Sequence, residues 1–237
     1  MDNAAGHNAE TKGPLLPVKR IVALVLSVTG YGSLLFLAAG SLDWWQAWAY
    51  LCLQLGILVA MLILMAAKNP ELIPARSKRH ADTKKFDRIL LGFYFPLPFI
   101  MLVVAGLDKR FEWGSLPQLW SPVGLILLVL GSLPSAWAIS LNPHFEATVR
   151  IQEDRGHTVI STGPYRYVRH PGYLSVILTS AATPLLLGTP WAFLPVGVIF
   201  VVIVIRTALE DRVLRLELPG YQEYARRVRR RLFPGIW

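Results

Sequence analysis

Two polar clusters hold the residue types in this sequence that could do chemistry. The first runs from Gly163 to Tyr173 and reads GPYRYVRHPGY, with three tyrosines, two arginines and one histidine from Tyr165 onward. Its Gly-Pro and Pro-Gly pairs favour turns at both ends. The second is Arg206 with Glu210, which share one face of a predicted helix because they are four residues apart. Charged groups and aromatic rings together suit the binding and orientation of a polar ligand.

The loop around the first cluster adds further polar residues. It extends over residues 142–173 and includes His144, Gln152 and the segment from His157 to Ile160. The simpler interpretation is a solvated loop with aromatic anchors at a membrane surface. For the second cluster, the simpler interpretation is an ordinary ion pair between neighbouring helical turns.

The composition indicates that membrane-spanning helices position these clusters. Hydrophobic residues are 54% of the 237-residue chain and charged residues are 16%, against about 25% in soluble domains. This excludes a soluble domain and a disordered chain, and it predicts an all-α integral membrane protein. The net charge is +9, and the charged residues lie between the apolar runs. This placement favours contact with membrane lipids over nucleic acid binding.

Patterns of several other protein classes are missing from the sequence. It contains no P-loop, GxGxxG or HExxH pattern. Its one cysteine, Cys52, can form neither an intrachain disulfide nor a thiolate metal site, and we expect no metal ligands. Asp and Glu are absent from the first four apolar runs, which argues against a proton-coupled transporter.

The hydropathy pattern predicts about six transmembrane helices. The apolar runs cover residues 21–39, 44–67, 89–107, 119–141, 173–189 and 191–209. A span needs about 20 apolar residues, so the first four are clear and the last two are short. We interpret the last two as a tight helical hairpin closed by Gly188, Thr189 and Pro190. The first run exceeds the ~7–15 residues of a signal-peptide core, which favours a retained span.

The distribution of basic residues predicts the orientation in the membrane. Of 24 Lys and Arg residues, 22 lie before the first run, in the 68–88 and 142–172 loops, or from Arg206 onward. Six spans place all 22 on one face, which the positive-inside rule makes cytoplasmic. The N- and C-termini are then cytoplasmic, and the polar residues 1–20 are predicted to form a disordered tail.

The hairpin would bring the two polar clusters to one membrane end. Its first arm begins at Tyr173 and its second arm ends beyond Arg206, so both clusters lie at the cytosolic boundary. Beyond the hairpin, four apolar positions recur at helical spacing among five arginines. These positions are Tyr221, Tyr224, Val228 and Leu232. The pattern predicts an amphipathic C-terminal helix that lies on anionic lipid.

The segment from about residue 140 onward resembles the isoprenylcysteine carboxyl methyltransferase family and the related phospholipid methyltransferases. The resemblance rests on the Tyr-x-x-x-Arg-His-Pro-x-Tyr pattern that ends at Tyr173, and on Glu210-Asp211 followed by Leu214, Gly220 and Tyr224. It implies that residues 142–237 form a methyltransferase core that follows N-terminal transmembrane helices over residues 21–141.

The resemblance implies methyl transfer from S-adenosylmethionine at the membrane surface. The donor would occupy a cytosolic pocket formed by the loop, the hairpin and the C-terminal segment, and a lipid-like acceptor would enter from within the bilayer. Arg206 matches a substrate-side arginine and would be the catalytic residue. The positions matched to cofactor contacts are Gln152, His157, Thr158, Val159, Ile160, Tyr165, His170, Pro171, Gly172, Tyr173 and Glu210.

These residue types fit the implied chemistry. A sulfonium is already activated for in-line displacement, so the protein supplies orientation and a dry pocket more than acid or base catalysis. Tyr165 or Tyr173 would face the sulfonium, and Glu210 would bind the ammonium group of the donor. Arg206 would hold an acceptor carboxylate by a planar two-point contact.

Other functions stay open at the level of the sequence. The acceptor is a carboxylate, as in isoprenylcysteine, or an amine, as in a phospholipid N-methyltransferase. An NADPH-dependent reductase of the sterol-reductase type shares a similar Arg-His-Pro-x-Tyr stretch, although no second basic set for a 2′-phosphate is visible. A non-enzymatic membrane component or a transporter is the third class. The small size of the chain favours a small lipid-like acceptor over a large protein.

Overall fold

The computed structural model describes residues 18–78, 80–233, 235 and 237. These residues form helices and turns without a strand, which confirms the all-α prediction. The α-helices are α1 (Val18–Ala39), α2 (Trp45–Lys68), α3 (Leu72–Ala75), α4 (Lys85–Tyr94), α5 (Leu97–Phe111), α6 (Trp120–Leu141), α7 (Pro171–Leu187), α8 (Phe193–Glu217) and α9 (Tyr221–Arg227). The tail predicted over residues 1–20 lies, up to residue 17, outside the described residues.

Four helical stretches are long and apolar enough to cross a membrane. They are Trp45–Lys68, Lys85–Phe111, Trp120–Leu141 and Pro190–Glu217. Two further apolar helices, Val25–Ala39 and Pro171–Leu187, are shorter and correspond to the first and fifth predicted runs. The chain is therefore a multi-pass membrane protein, and the count of six spans stays a prediction.

The third predicted span consists of two helices. α4 ends at Tyr94 and α5 begins at Leu97, with the break at Phe95 and Pro96. A proline has no N–H to donate into the helix and crowds the preceding turn, which explains the break. α4 also begins four residues before the predicted run. This extra turn brings Asp87 into the protein interior, where its side chain is fully buried.

The main buried core lies between α1, α2, α5, α6 and α7. It includes Leu35, Ala47, Leu102, Leu128 and Leu186. This core lies beside the turn at residues 188–192, whereas the loop over residues 142–170 lies at the other end of α6 and α7. The fold therefore separates a packed apolar end from a polar end.

The packing of α7 against α6 positions that loop. α7 makes its most extensive contacts with α6, and it also packs against α8. Gly124 of α6 lies so close to α7 that a Cβ there would overlap the Leu186 backbone. Small residues allow such a close approach of two helix backbones. The loop leaves the end of α6 and enters the start of α7, so this pair fixes both of its ends.

The predicted amphipathic helix over residues 221–232 is wrong in its length and in the surface that it covers. α9 ends at Arg227, because the following backbone pairs with the loop: the Arg169 N–H donates to Arg230 O at 3.0 Å and the His170 N–H to Arg231 O at 3.0 Å. The apolar positions that follow α9 are therefore outside a helix. Tyr221 and Tyr224 are buried against the loop, so they do not face lipid.

Candidate active site

A cavity of about 340 Å³ opens between the loop and the helices α4, α6, α7, α8 and α9. Small-molecule sites typically have volumes of about 300–1,000 Å³. All twelve residues predicted as site residues line this cavity: Gln152, His157, Thr158, Val159, Ile160, Tyr165, His170, Pro171, Gly172, Tyr173, Arg206 and Glu210. Folding thus brings the two polar clusters of the sequence to one place.

The cavity is polar at one end and apolar at the other. The loop lines the polar end with Gln152, His157 and other polar side chains. The opposite wall comes from α4, α7 and α8, through Leu91, Val176 and Ile203. One space therefore offers a surface for a polar ligand beside a surface for an apolar chain.

An ion-pair cluster around Arg150 gives the loop its shape. The Arg150 guanidinium donates to both carboxylate oxygens of Glu146, at 2.8 and 2.9 Å. It also donates to Asp154 at 2.7 Å and to Asp82 at 3.1 Å. The hydrogen bonds that Arg150 donates to Glu146 are the main cause of the raised pKa of Arg150, which keeps the cluster charged. The loop is therefore a fixed structure, as its Pro and Gly turns predict.

Gln152 acts within the loop rather than toward the cavity. Its Nε2 donates to His144 O at 2.8 Å, and its Oε1 accepts from Arg155 Nη1 at 3.0 Å. The side chain is buried, with both polar ends already bound. Gln152 lies at the cavity wall and its hydrogen bonds shape the loop, and its contact with a cofactor stays a prediction.

Two histidines lie side by side at the polar end. The rings of His144 and His157 are 4.7 Å apart. Burial lowers the pKa of His157 to about 4, with the nearby His144 as the next cause, so the ring is neutral at pH 7. The His144 Nδ1 and Thr148 Oγ1 atoms are buried and have no hydrogen-bond partner among the described residues. Both residues line the cavity, so these atoms are available to a polar ligand.

Tyr173 connects the two polar clusters. Its hydroxyl donates to Glu210 Oε2, and its ring lies 5.1 Å from the Arg206 guanidinium carbon. The ring also stacks with His170 at 5.7 Å. The second oxygen of Glu210 lies 3.9 Å from His170 Nδ1, beyond hydrogen-bond distance, and therefore remains able to accept from a ligand.

Gly172 allows the loop to close over the start of α7. A Cβ at this position would come within 2.6 Å of the Phe145 ring. Phe145 belongs to the buried cluster that includes Tyr165 and Tyr224. The Tyr224 hydroxyl donates to Tyr165 O at 2.8 Å, so α9 supports the same wall.

Arg206 does not pair with Glu210, and the interpretation of these two as an ordinary ion pair is wrong. Its Nε donates to Asp87 Oδ1 at 2.7 Å and its Nη2 to Asp87 Oδ2 at 3.2 Å. The Nη2 also donates to Ala147 O at 2.6 Å. The resemblance implies that Arg206 would hold a substrate carboxylate by a planar two-point contact. In the structure it makes this contact with Asp87. The guanidinium remains at the cavity wall.

The adjacent acidic residues Glu210 and Asp211 have separate roles. Glu210 lines the cavity, whereas Asp211 is buried behind it. Asp211 accepts from Arg169 at 2.6 and 2.9 Å, and from the Tyr221 hydroxyl at 3.0 Å. Several hydrogen-bonded partners offset the cost of burying this carboxylate. Asp211 therefore joins the start of α7 to α8 and α9.

Comparison with known proteins shows a family similarity in the central part of the chain. Residues 124–215 match the isoprenylcysteine carboxyl methyltransferase (ICMT) family. The match covers most of α6, the loop, α7 and most of α8, and it includes all twelve predicted site residues. This central part of the chain is similar to the isoprenylcysteine carboxyl methyltransferase family.

Curated relatives within this family are distant in sequence. Protein-S-isoprenylcysteine O-methyltransferase A of Arabidopsis thaliana is 26% identical over 123 residues, which are 51% of this chain and 62% of that protein. The B form from the same plant is 25% identical over 67% of this chain and 83% of its own length. The Saccharomyces cerevisiae relative is 30% identical over 35% of each. The chain thus spans less than two thirds of the first of these relatives.

The family match leaves out part of the cavity wall that the sequence did not predict. On the N-terminal side, the wall contains Arg76, Leu91 and Tyr94, and Asp87 lies behind them. On the C-terminal side, the wall contains Tyr221 and Tyr224, for which the helical spacing predicts a place on the membrane surface. The sequence carries no local signal for Asp87, which precedes the third predicted run and lies in the basic loop over residues 68–88.

Proposed function

We propose that this protein is a membrane methyltransferase that transfers a methyl group from S-adenosylmethionine to the carboxylate of an isoprenylcysteine-type lipid. The observation that carries the proposal is one cavity that is lined by all twelve predicted residues. This cavity is polar at one end and apolar at the other. The names of the relatives, protein-S-isoprenylcysteine O-methyltransferases, agree with this acceptor class.

The polar end of the cavity fits the donor. Glu210 presents one unpaired carboxylate oxygen for an ammonium group. The buried His144 Nδ1 and Thr148 Oγ1 supply further polar contacts, and Tyr165 and His170 supply ring surfaces. When bound, S-adenosylmethionine supplies an activated methyl group on a sulfonium. The neutral histidines at this end add no positive charge that would repel the donor.

The junction between the polar and apolar ends fits the acceptor. Arg206 lines the cavity there, while Leu91, Val176 and Ile203 line the apolar part. An acceptor carboxylate placed beside Arg206 would attack the methyl carbon as the carbon–sulfur bond breaks, and the electron pair of that bond would stay on sulfur. The carboxylate is already ionised at pH 7, so this step needs no general base.

The proposal includes a position in the membrane. The loop and the C-terminal segment would face the cytosol, and α7 with α8 would form the hairpin that carries both polar clusters. The apolar part of the cavity would then lie at bilayer depth, where a lipid-like acceptor can reach it laterally. Membrane lipids are the expected partners of the exposed apolar helix faces.

A ligand titration tests the class of cofactor. Purified protein in detergent would be titrated with S-adenosylmethionine and, separately, with NADPH by calorimetry. We expect saturable binding of S-adenosylmethionine alone, because the polar end offers the Glu210 carboxylate for an ammonium. Binding of NADPH without S-adenosylmethionine would instead place the protein with the membrane reductases.

A further inference from the structure

The Arg206 guanidinium is held on two sides by buried protein groups. Asp87 of α4 accepts from Nε and Nη2, and Ala147 of the loop accepts from Nη2. The Asp87 side chain is fully buried and Arg206 is 6% exposed. Only Nη1 has no hydrogen-bond partner among the described residues, and Arg206 lines the cavity. The nitrogen left for a ligand is therefore Nη1.

Asp87 joins three parts of the structure at this point. Besides Arg206 of α8, its Oδ2 accepts from the Val149 N–H of the loop at 2.8 Å. The Lys84 N–H at the start of α4 donates to Val149 O at 3.0 Å. The same short loop segment that includes Ala147 is thus anchored to α4 on one side and to Arg206 on the other. A shift of Asp87 would move both the guanidinium and the loop wall.

We propose that Asp87 is the positioning residue for Arg206. It fixes the guanidinium so that Nη1 alone contacts the acceptor carboxylate. This contact with one nitrogen positions the attacking oxygen. This inference rests on the proposed function. It gives the N-terminal helices, which lie outside the segment matched to the family, a part in the reacting centre.

The pairing also suits the change of charge during the reaction. Methyl transfer converts the acceptor carboxylate into a neutral ester, which is a weaker partner for a guanidinium. A buried arginine without a second counterion would then be left uncompensated, which is costly. Asp87 keeps Arg206 paired before and after transfer, so the ester can leave without stranding a buried charge.

A double-mutant cycle tests this role. The variants are Asp87→Asn, Arg206→Lys and the double variant, assayed with S-adenosylmethionine and N-acetyl-S-farnesylcysteine. We expect Asp87→Asn to lower kcat by about 10–100-fold, as a misplaced contact at a reacting centre commonly does. The dissociation constant of S-adenosylmethionine should change by less than about twofold. In the Arg206→Lys background, Asp87→Asn should cost less than about twofold more, since the two residues act as one unit.

Two further variants separate positioning from folding. Asp108→Asn is the matched control, because Asp108 is also fully buried but binds the Gly114 and Trp191 N–H groups at the other end of the bundle. It should lower thermal stability and leave kcat per folded molecule unchanged. Asp87→Glu keeps the charge that offsets Arg206 and displaces it by one methylene. It should fold and turn over more slowly than wild type.

The outcomes distinguish this inference from the function beneath it. A wild-type protein that transfers no methyl group to the acceptor would overturn both proposals. A wild-type protein that does so, with an Asp87→Asn kcat within about twofold of it, would overturn the positioning role alone. Equal and additive losses in both backgrounds of the cycle would also contradict it, because they would indicate a general effect on folding.

Discussion

Glu210 gives the most specific prediction about binding of the donor. The Tyr173 hydroxyl donates a hydrogen bond to one of its carboxylate oxygens, and the other oxygen lies near His170. Glu210→Gln keeps the size of the side chain and an acceptor for Tyr173 but removes the charge. We expect the dissociation constant of S-adenosylmethionine to rise about tenfold or more, since hydrogen bonds to charged groups contribute about 1.5–3 kcal/mol. Calorimetry on the purified variant would measure this.

The matched control for this change is Glu223→Gln. Glu223 lies on α9, near the site in sequence, but its side chain is 76% exposed and pairs with Arg227 at 4.0 Å. This variant should bind S-adenosylmethionine as the wild type does. Equal affinities in the Glu210 and Glu223 variants would remove Glu210 from the donor site.

His157 gives the protein a dependence on pH that a single substitution should reduce. Its pKa in the folded protein is about 4, below the ordinary value of 6.5, because burial disfavours the charged ring. The unfolded chain therefore takes up this proton first as the pH falls, and stability present above pH 6.5 is lost toward pH 4. Thermal unfolding between these limits should show a steeper loss in wild type than in His157→Gln. His144, whose pKa is also lowered, acts in the same direction and leaves a residual slope. Parallel curves for the two proteins would contradict the assignment.

Single residues were predictable where they lie in one continuous pattern. The stretch from Gly163 to Tyr173 is contiguous, and Arg206 with Glu210 follows at helical spacing, so residue types alone located them. The pairing of Arg206 with Asp87 joins residues 119 positions apart. No local pattern indicates which of several acidic residues meets a given arginine, so this partner required the fold.

Among the helices, the contact of α6 with α7 sets the geometry of the whole site. Gly124→Ala would force a Cβ into the Leu186 backbone and push the two helices apart. We expect about 1–3 kcal/mol of destabilisation from such overpacking. We also expect weaker binding of S-adenosylmethionine, because both ends of the loop would move. Thermal unfolding and calorimetry would report the two effects.

Gly56→Ala provides the control for this substitution. Gly56 lies within α2, and a Cβ there would meet nothing within 4 Å. The same change in a helix interior without a clash is neutral or slightly stabilising, by up to about 1 kcal/mol. A Gly124→Ala protein as stable as Gly56→Ala would show that the helices are not packed as described.

Helices were predictable to the extent that hydropathy and proline define them. The runs behind α2, α6 and α8 follow directly from apolar length, and the break before α5 follows from Pro96. The C-terminal segment misled the prediction because Tyr221, Tyr224 and Leu232 have the spacing of a surface helix. Their burial depends on backbone pairing with Arg169 and His170, which helical periodicity cannot reveal.

At the scale of the molecule, the distribution of basic residues predicts which side of the membrane the loop and α9 face. After Cys52 is replaced by alanine, single cysteines at Thr162 and Gln222 would report the side of the loop and of α9. Both positions are exposed. We expect an impermeant maleimide to label them only after cells are permeabilised, because 22 of 24 basic residues lie on the predicted cytosolic face.

The opposite face supplies the control for the labelling. Gln118 is exposed in the segment before α6, which lies beside the 188–192 turn through the Leu116 N–H and Gly188 O contact at 3.0 Å. A cysteine at Gln118 should be labelled in intact cells. Labelling of Thr162→Cys or Gln222→Cys in intact cells would show that the orientation is opposite to the predicted one. Labelling of all three positions in intact cells would show that the loop and α9 do not lie on the face opposite Gln118.

The central claim is methyl transfer from S-adenosylmethionine to a lipid carboxylate, and product analysis tests it most directly. Purified protein would be incubated with S-adenosylmethionine labelled in its methyl group, together with N-acetyl-S-farnesylcysteine and, separately, with phosphatidylethanolamine. We predict label only in the farnesylcysteine, released as methanol by mild base because the product is an ester. Base-stable label in the phosphatidylethanolamine headgroup, or no transfer to either acceptor despite bound S-adenosylmethionine, would contradict the account.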